Sequence, residues 1–265
     1  MKDFTLHAYR ALLSALHAAG YRALTLEEYF DAKQHGLTVK TPFVILRHDV
    51  DLKAPNSLKT AQIEAEVGMN ASYYFRVVPQ SNQPEIIRQI ARLGHEIGYH
   101  YEDMSIANGD VNKAIKHFEQ QLEYFRTFYP VKTICMHGAP TSRYDGRKLW
   151  KHYDYREYGI IGEPYFDVDF SNVVYLTDTG RCWDGYKVSV RDKIEKWQDE
   201  WIRQGLVFHT TEQLINWLAD EGHEKRNLLI TTHPQRWTDN QTEWTKELVT
   251  QHMKNVVKRI LVAIK

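Results

Sequence analysis

The chain has 265 residues, of which 43% are hydrophobic, and its 34 lysines and arginines balance 34 aspartates and glutamates. This length and apolar content suffice for one large core and exclude disordered and fibrous proteins. A formal net charge of zero leaves no basic field to attract phosphates. We therefore expect no nucleic-acid partner and find no support for binding to an anionic membrane.

Targeting and disulfide signals are not found in the sequence. No apolar run approaches the roughly 18–20 residues that cross a bilayer, and residues 1–20 predict an amphipathic helix in place of a signal peptide. The two cysteines, Cys135 and Cys182, are too few for a disulfide framework and lack the spacing of a structural zinc site. We therefore expect a cytoplasmic protein with no membrane span.

The first predicted elements are two helices, which form an N-terminal extension over residues 1–40. The first helix is predicted over 6–19 from its apolar spacing. The second opens with Thr25 and Glu28, the spacing of a capping box, in which each side chain binds the backbone amide of the other residue. Gly36 is expected to end this second helix.

Beyond residue 40, short apolar runs alternate with longer helical patterns. Such an alternation predicts a parallel α/β sheet whose strands are buried on both faces. The expected strands are 43–47, 71–77, 95–99, 133–136, 159–162, 173–176 and 228–232. The expected helices are 57–67, 83–93, 110–128, 189–203, 211–219 and 242–262.

A closed or partly closed barrel over 41–238 is the first choice for this sheet. A C-terminal helix is expected over 239–265, and the whole chain is expected to form one domain. A doubly wound open sheet has nearly the same sequence pattern, so periodicity leaves this alternative open. Both folds place their chemistry at the carboxyl ends of the strands.

Histidines and carboxylates follow the expected strands at their carboxyl ends. Residues 49 and 51 of an extended segment project to the same side, and two close carboxylates raise one pKa unless a cation lies between them. A divalent metal ion is the economical explanation. Neither a phosphate-binding glycine loop nor a GxSxG elbow occurs, so nucleotide hydrolysis and serine-hydrolase chemistry have no support. The strand-end residues are His48, Asp49, Asp51, His100, Glu102, His137, Asp178 and His233.

Three segments resemble a known family: residues 43–77 with the motif HDVD, residues 91–104 with GHEIGYH, and residues 228–237 with HPQRW. In order and spacing they resemble the polysaccharide deacetylase family (carbohydrate esterase family 4, the NodB-homology domain). The HDVD and HPxRW style is similar to members assigned to O-antigen and other surface-glycan pathways. The resemblance implies a distorted (β/α)7 barrel with extra N-terminal and C-terminal helices. It also implies a metal-bound water that hydrolyses the N-acetyl group of a sugar.

The resemblance implies roles for the residues that match the family motifs. Asp49 corresponds to the general base, Asp51 to a metal ligand, and His233 to the histidine that protonates the leaving amine. The family also has an arginine that orients the base, and its counterpart here is open between Arg47, Arg143 and Arg181.

The second motif departs from the family pattern. The family's His-x-x-x-His reads His100 to Met104 in this sequence, so the second histidine is missing. A thioether is a poor ligand for a cation such as zinc, so Met104 does not replace it. We expect His137, at the next strand end, to be the third ligand, with Glu102 as the alternative.

Further residues near these motifs are expected to contact the substrate or to orient the ligands. The segment 177–183 matches the style of the subgroup and is expected to form a sugar-facing loop. Trp183 and Trp237 either stack on the apolar face of the sugar or pack in the barrel wall. This set of residues consists of His48, Glu102, Asp178, Arg181, Trp183, Arg236 and Trp237.

The expected function is a metal-dependent hydrolase that removes an N-acyl group, with N-acetyl as the first choice, from an amino sugar in surface-polysaccharide or O-antigen biosynthesis. Zinc is the first choice of metal, and cobalt, nickel, manganese and iron also suit Asp and His ligands. The amino sugar is expected on a nucleotide, lipid or polymer carrier. The alternatives are an N-deformylase or other C–N hydrolase on the same fold, and a non-catalytic glycan-binding relative that has lost the metal. The oligomeric state is left open.

Overall fold

The computed structural model describes residues 1–138, 142–183, 188–189, 191–222 and 224–264, with the side chains of 257–264 outside the description. Within these ranges seven strands form one sheet, and every pairing in it is parallel. The strands are β1 (Arg22–Leu24), β2 (Phe43–Val50), β3 (Ser72–Phe75), β4 (Glu96–Tyr101), β5 (Ile134–Met136), β6 (Val173–Thr177) and β7 (Asn227–Thr232).

Helices precede, connect and follow the strands, as expected for parallel pairing. They are α1 (Leu6–Ala18), α2 (Leu26–Gln34), α3 (Ala54–Glu66), α4 (Pro84–Arg92), α5 (Asp103–Ile106), α6 (Val111–Arg126), α7 (Pro164–Asp167), α8 (Glu195–Arg203), α9 (Thr211–Ala219) and α10 (Gln241–Ile264). Short 3-10 helices lie at Gly146–Lys151, Tyr155–Tyr158 and Pro234–Arg236. No helix of the described chain is both long and apolar enough to cross a membrane.

The strand order is β5-β4-β3-β2-β7-β6, and β1 pairs with the first half of β2. Strand β2 therefore lies at the centre, and all eight of its residues are buried. Because every pairing is parallel, the carboxyl ends of all strands lie at one edge of the sheet.

The sheet is strongly curled. Neighbouring strands lie about 4.8 Å apart, so β2 and β5, three steps apart in the strand order, would be about 14 Å apart in a flat sheet. Yet ligand atoms of Asp49 on β2, His100 on β4 and Cys135 on β5 all lie within 4.8 Å of one another. The sheet therefore forms a half-barrel with helices around it, which confirms the predicted distorted α/β barrel.

The two N-terminal helices pack on the outside of the half-barrel and beside the starts of its strands. Helix α1 packs on α9 and α3, and its side chains at Leu12, Leu13 and Leu16 are fully buried. Thr25 and Glu28 form the predicted capping box at the start of α2, with both reciprocal hydrogen bonds present. Strand β1 lies between α1 and α2, and the sequence pattern did not predict it because it is only three residues long and lacks β-branched side chains.

One predicted strand is wrong. Residues 159–162 form no strand, and only Gly162 pairs, in a single bridge with Thr133 beside β5. The ring of Phe30 lies where a Cβ at position 162 would stand, so this position needs glycine and presents no side chain of its own to the core. The helix predicted over 189–203 begins later, at Glu195.

Side chains, rather than strand hydrogen bonds, connect the two edge strands β5 and β6. Arg191 donates to three backbone carbonyls that follow β5, those of Gly138, Ser142 and Tyr144, at 2.7–3.0 Å. The neighbouring Asp192 accepts from Thr177 at the end of β6, at 2.8 Å, and from Tyr165 of α7, at 3.0 Å. One loop thus holds both edges of the half-barrel.

Candidate metal and catalytic site

The alternation of side chains along β2 directs Arg47 and Asp49 into the curl of the sheet. Arg47 donates from Nε and Nη2 to the two oxygens of the Asp49 carboxylate, at 2.9 and 2.7 Å. Both side chains are buried. Burial alone would lower the pKa of Arg47, but the charge of Asp49 outweighs it and raises the pKa well above its usual value. Arg47 therefore stays charged and fixes the orientation of Asp49.

Asp51 follows the end of β2 and faces two imidazole rings. Its Oδ1 lies 3.3 Å from Nε2 of His137 and 3.6 Å from Nε2 of His100. This oxygen is buried and has no hydrogen-bond partner among the described residues. Burial alone would raise the pKa of Asp51, but the positive charge of His137 and the contacts with both rings outweigh it and lower the pKa well below its usual value.

The two rings are oriented by what their other nitrogens contact. Nδ1 of His100 lies 3.0 Å from the backbone carbonyl oxygen of Cys135 on β5. Nδ1 of His137 lies 3.0 Å from the carboxylate of Glu102. Since both partners only accept, each Nδ1 carries the proton, and in the neutral tautomer each Nε2 presents a lone pair toward Asp51.

Glu102 is itself held in place. Arg76, directly after β3, donates to both of its carboxylate oxygens at 2.8 and 2.9 Å. Burial would raise the pKa of Glu102, but its bonds to His137 and Arg76 outweigh this and lower the pKa to about 2. Burial would lower the pKa of His137, but Asp51 and Glu102 raise it to about 9. Both oxygens of Glu102 are thus engaged by Arg76 and one also by His137, an arrangement that favours orientation of His137 over the alternative role of third ligand.

Asp51, His100 and His137 fit a divalent metal ion. Their ligand atoms lie within 4.8 Å of one another, and the two imidazole nitrogens lie 3.3 and 3.6 Å from the same carboxylate oxygen. Tetrahedral ligands at zinc-like bond lengths of about 2.0–2.2 Å are spaced by about 3.3–3.6 Å. An imidazole whose Nδ1 donates to a carboxylate, as His137 does to Glu102, is the usual arrangement of a histidine ligand.

A second group of ligand atoms, from Asp49, His100 and Cys135, lies deeper. There the guanidinium of Arg47 already supplies a positive charge to Asp49, at 2.7 Å. Burial raises the pKa of the Cys135 thiol well above its usual value, which disfavours the thiolate that a metal needs. The group around Asp51 therefore fits an ion better.

His233 follows β7 on the other side of Asp51. Its Nε2 lies 3.9 Å from Oδ2 of Asp51, and its Nδ1 lies 2.6 Å from Oδ1 of Asp178. Its backbone amide donates to the same carboxylate at 2.9 Å. Burial would raise the pKa of Asp178, but the charges of Arg236 and His233 outweigh it and lower the pKa. Asp178 thus remains ionised and keeps the Nε2 of His233 directed at the site.

Arg236 and Trp237 donate hydrogen bonds to Asp178, the partner of His233. Trp237 donates from Nε1 to Asp178 at 2.9 Å, and Arg236 donates to the same carboxylate and, at 2.9 Å, to the Asp178 carbonyl. Both side chains are buried, as is Asp178 itself. These three residues therefore hold His233 in position and offer no surface to a sugar.

The segment 177–183, which was expected to form a sugar-facing loop, packs its tryptophan against other parts of the protein. Trp183 is 1% exposed, donates to Thr211 and packs against Trp237, so the structure favours packing over sugar stacking for both tryptophans. Arg181 lies over the rings of Phe4 and Trp244. The predicted loop over 177–183 therefore turns its large side chains into the core.

His48 also lies away from the site. It is fully buried on the helix-facing side of β2, where its ring nitrogens lie 2.6 Å from Thr232 and from Glu64 of α3. Its ring stacks on Tyr73 at 4.1 Å between centroids. The expectation that His48 contacts substrate or a ligand is wrong, because position 48 has the opposite side-chain direction to positions 47 and 49.

Three features of the site were not predicted from the sequence. These are the pairing of Arg47 with Asp49, the pairing of Arg76 with Glu102, and the position of Gln235 beside Asp51. The spacing of two residues between Arg47 and Asp49 on one strand was a usable signal. Arg76 directly follows β3, which is also a strand-end position. Gln235, whose Nε2 lies 3.5 Å from Oδ2 of Asp51, gave no comparable signal.

No protein-family model and no curated protein matches this sequence. Among solved structures, the deacetylase PplD from Streptococcus pyogenes in complex with acetate is similar, with a TM-score of 0.47 and 13% identity over 59% of this chain and 73% of that chain. The BpsB deacetylase domain from Bordetella bronchiseptica is similar with a TM-score of 0.40 and 13% identity, over 57% of this chain and 75% of that chain.

Proposed function

We propose that this protein is a metal-dependent amide hydrolase that removes an N-acyl group, with N-acetyl as the first choice, from an amino sugar. One observation carries the proposal. The three candidate ligands Asp51, His100 and His137 converge between a carboxylate held by an arginine, Asp49, and an imidazole held by a carboxylate, His233. A metal position flanked by a base and an acid is what amide hydrolysis requires.

Asp51, His100 and His137 are the residues that would hold the ion. A bound divalent ion supplies a Lewis acid that polarises the acyl carbonyl and lowers the pKa of water toward neutrality. Arg76 and Glu102 keep the His137 ring turned toward this position, and the carbonyl of Cys135 does the same for His100.

Asp49 is placed to act as the general base. Its two oxygens are oriented by Arg47, so the carboxylate cannot rotate away from the site. In the proposed reaction Asp49 accepts a proton from the attacking water while the new C–O bond forms at the acyl carbon. A general base of this kind contributes about 10²–10⁴ in rate.

His233 is placed to act as the general acid. With Nδ1 bound to Asp178, its protonated Nε2 points toward Asp51 and can deliver a proton to the nitrogen of the substrate. The C–N bond then breaks, and the products are a carboxylate and the free amine of the sugar. An amine leaves poorly without this proton, so His233 suits an amide substrate better than an ester.

The wider role is proposed from the motifs. HDVD and HPQRW resemble members of the polysaccharide deacetylase family in surface-glycan and O-antigen biosynthesis, and we propose a cytoplasmic step of such a pathway. The substrate would be an amino sugar on a nucleotide, lipid or polymer carrier. Zinc is the proposed metal, because two imidazoles and one carboxylate suit it.

Elemental analysis tests the metal site. We expect about one transition-metal ion per chain in the purified protein, as in catalytic sites with three protein ligands and one open position, and its loss in Asp51→Ala and His100→Ala. His35→Ala is the matched control, since His35 is an exposed histidine at the end of α2. Protein without metal, even after incubation with zinc or cobalt, contradicts the proposal and favours a glycan-binding protein.

Activity on matched substrates tests the reaction. The metal-loaded protein is offered N-acetyl and N-formyl forms of the same amino sugars, and release of acetate or formate is measured. We expect acetate release that is abolished in Asp49→Asn. Formate release alone would establish the deformylase alternative, and release of neither from a broad set of carriers would contradict the proposed hydrolase.

A further inference from the structure

Arg47 orients Asp49 only if other groups fix Arg47 in turn. Its Nε and Nη2 both donate to the Asp49 carboxylate. Its Nη1 is buried and has no hydrogen-bond partner among the described residues. Within the described chain, the hydrogen bond that holds the guanidinium from outside the pair is therefore that of Nη2 with the hydroxyl oxygen of Tyr165, at 3.1 Å.

Asp192 holds Tyr165 in place and is itself close to Arg47. The Tyr165 hydroxyl, which accepts from Arg47, donates to Oδ1 of Asp192 at 3.0 Å. The same oxygen lies 3.8 Å from Nη2 of Arg47 and accepts from the hydroxyl of Tyr175 on β6. The rings of Tyr165 and Tyr175 both lie over the Arg47 guanidinium, with their centroids 5.1 and 5.8 Å from its Cζ. Asp192 thus attracts the charge of Arg47 and also binds the two tyrosines that pack on it.

Asp192 is ionised in this position. Its second oxygen, Oδ2, accepts from Thr177 at 2.8 Å and from Thr179 at 2.5 Å. Burial alone would raise the pKa of Asp192, but the charge of Arg47 and the hydroxyl hydrogen bonds outweigh it and lower the pKa well below its usual value. Two carboxylates, those of Asp49 and Asp192, therefore face the same guanidinium.

We propose that Asp192 is a positioning residue for the general base. It fixes Arg47 from outside the Arg47–Asp49 pair, and Arg47 then fixes the Asp49 carboxylate. A buried ion pair contributes little to stability because both charges lose their hydration, so the second carboxylate suits orientation better than stability. This inference rests on the proposed role of Asp49. The base on the central strand β2 is thereby held from β6, two strands away in the strand order.

The kinetics of Asp192→Asn test this role. Asparagine keeps the shape of the side chain but removes the negative charge that faces Arg47. We expect kcat on an N-acetyl amino sugar to fall by about 10–100-fold, because a small displacement of a catalytic group has an effect of this size. KM and the metal content should keep their wild-type values, since the change leaves Asp51, His100 and His137 in place.

Thr179→Val is the matched control. It removes a hydrogen bond to Oδ2 of Asp192 and so loosens the same loop, but it leaves the negative charge beside Arg47. We expect urea unfolding to show a loss of stability in both variants, and kcat to fall in Asp192→Asn only. An equal fall of kcat in both variants overturns the proposal, because Asp192 then acts only by holding the loop. Loss of metal in Asp192→Asn also overturns it.

The Nε–H group of Arg47 provides a readout that needs no turnover. Its NMR signal, identified by its absence in Arg47→Lys, reports how fast the buried guanidinium exchanges this hydrogen with solvent. We expect exchange to be about tenfold faster or more in Asp192→Asn, as for the loss of one hydrogen-bonded charge, and unchanged in Thr179→Val. Exchange at the wild-type rate in Asp192→Asn overturns the proposal. If the wild-type protein hydrolyses no N-acyl sugar, the proposed function fails, and this exchange measurement decides whether Asp192 fixes Arg47.

Discussion

Both ends of the half-barrel bury carboxylates, but the groups that contact these carboxylates differ between the two ends. At the carboxyl ends of the strands, Asp49 is paired with Arg47 and Glu102 with Arg76. At the opposite end, Glu96, the first residue of β4, accepts from the hydroxyl of Ser72 at 2.5 Å and from the amide of Glu27 at 3.0 Å. Burial raises the pKa of Glu96 to about 7.

A cavity of about 310 Å³ lies beside Glu96 and is also acidic. Glu27 in its wall is paired with Lys132 at 2.8 Å, and the side chain of Glu28 accepts from the backbone amide of Thr25 in the capping box of α2. None of the residues that line it is a histidine, and the candidate metal groups found in the described ranges all lie at the other end. The two ends therefore differ in their ligand atoms: in the described ranges, histidine nitrogens and carboxylate oxygens meet within 4.8 Å of one another only at the carboxyl ends of the strands.

The largest expected difference between the two ends is in catalysis. Asp49→Asn keeps the shape of the side chain but removes the proton acceptor, so turnover of an N-acetyl amino sugar should fall by about 10²–10⁴ or more. Asp31→Asn, at the acidic cavity, should leave turnover unchanged. Rates of both variants are compared after circular dichroism has shown that they are folded. Equal rates in Asp49→Asn and wild type would show that Asp49 is not the base.

The next effect concerns the orientation of His233. Asp178→Asn removes the negative charge beside the imidazole and introduces an NH2 group that can donate to Nδ1, so the proton is no longer fixed on Nδ1. We expect kcat to fall by about 10²–10⁴, as for loss of a general acid, while the metal content stays at the wild-type value. Loss of metal together with kcat would place Asp178 in the metal site instead.

A smaller effect is expected where the site is supported indirectly. Glu102→Gln keeps a hydrogen-bond acceptor for His137 but removes the charge, and such partners of a histidine ligand are typically worth 10–100-fold, so we expect a loss of about that size in metal affinity. The affinity is measured by competition with a coloured chelator. Glu123→Gln, which breaks the exposed ion pair with Arg126, should not change it. A full loss of metal in Glu102→Gln would indicate that Glu102 itself binds the ion.

The smallest effect concerns stability at the acidic end. Glu96 has a pKa of about 7 when folded and 4.5 as its reference value, so the folded state binds the extra proton between these values. The free energy of unfolding must therefore fall as pH rises from 5 to 8, by up to about 3 kcal/mol for this group. Urea unfolding of Glu96→Gln should show a weaker pH dependence.

Some pH dependence should remain in Glu96→Gln, because burial also raises the pKa of Glu163 to about 7. The same pH dependence in wild type and Glu96→Gln would mean that Glu96 is ionised in the folded protein. No change in metal content is expected in this variant.

Much of the arrangement followed from the sequence because parallel sheets order their strand ends. The unbroken apolar runs of β2 and β7 predicted both strands, and therefore where Asp51 and His233 leave the sheet. The position of His137 directly after β5 was enough to propose it as a ligand, and the structure places its Nε2 3.3 Å from Asp51.

The rest depended on contacts that spacing does not contain. The choice of Arg47 over Arg143 and Arg181 depends on the side of β2 that faces the curl, and the curl is a property of the whole sheet. The burial of Trp183 and Trp237 depends on Phe4, whose ring packs against both tryptophans although it is far from them in the sequence. The prediction of a strand over 159–162 was wrong, and the contact of Gly162 with the ring of Phe30 from α2 is one that the spacing of residues does not contain.

The loop with Arg191 and Asp192 has a mechanical consequence. The half-barrel has a seam between β5 and β6, and adjacent residues of one loop fasten its two sides by hydrogen bonds to carbonyls and hydroxyls. Local unfolding begins where the fewest backbone bonds must break, so amide hydrogens along β5 and β6 should exchange with solvent before those of β2. Because His137 and Thr177 lie at the two sides of this seam, the most easily opened part of the sheet is also the part next to the candidate site.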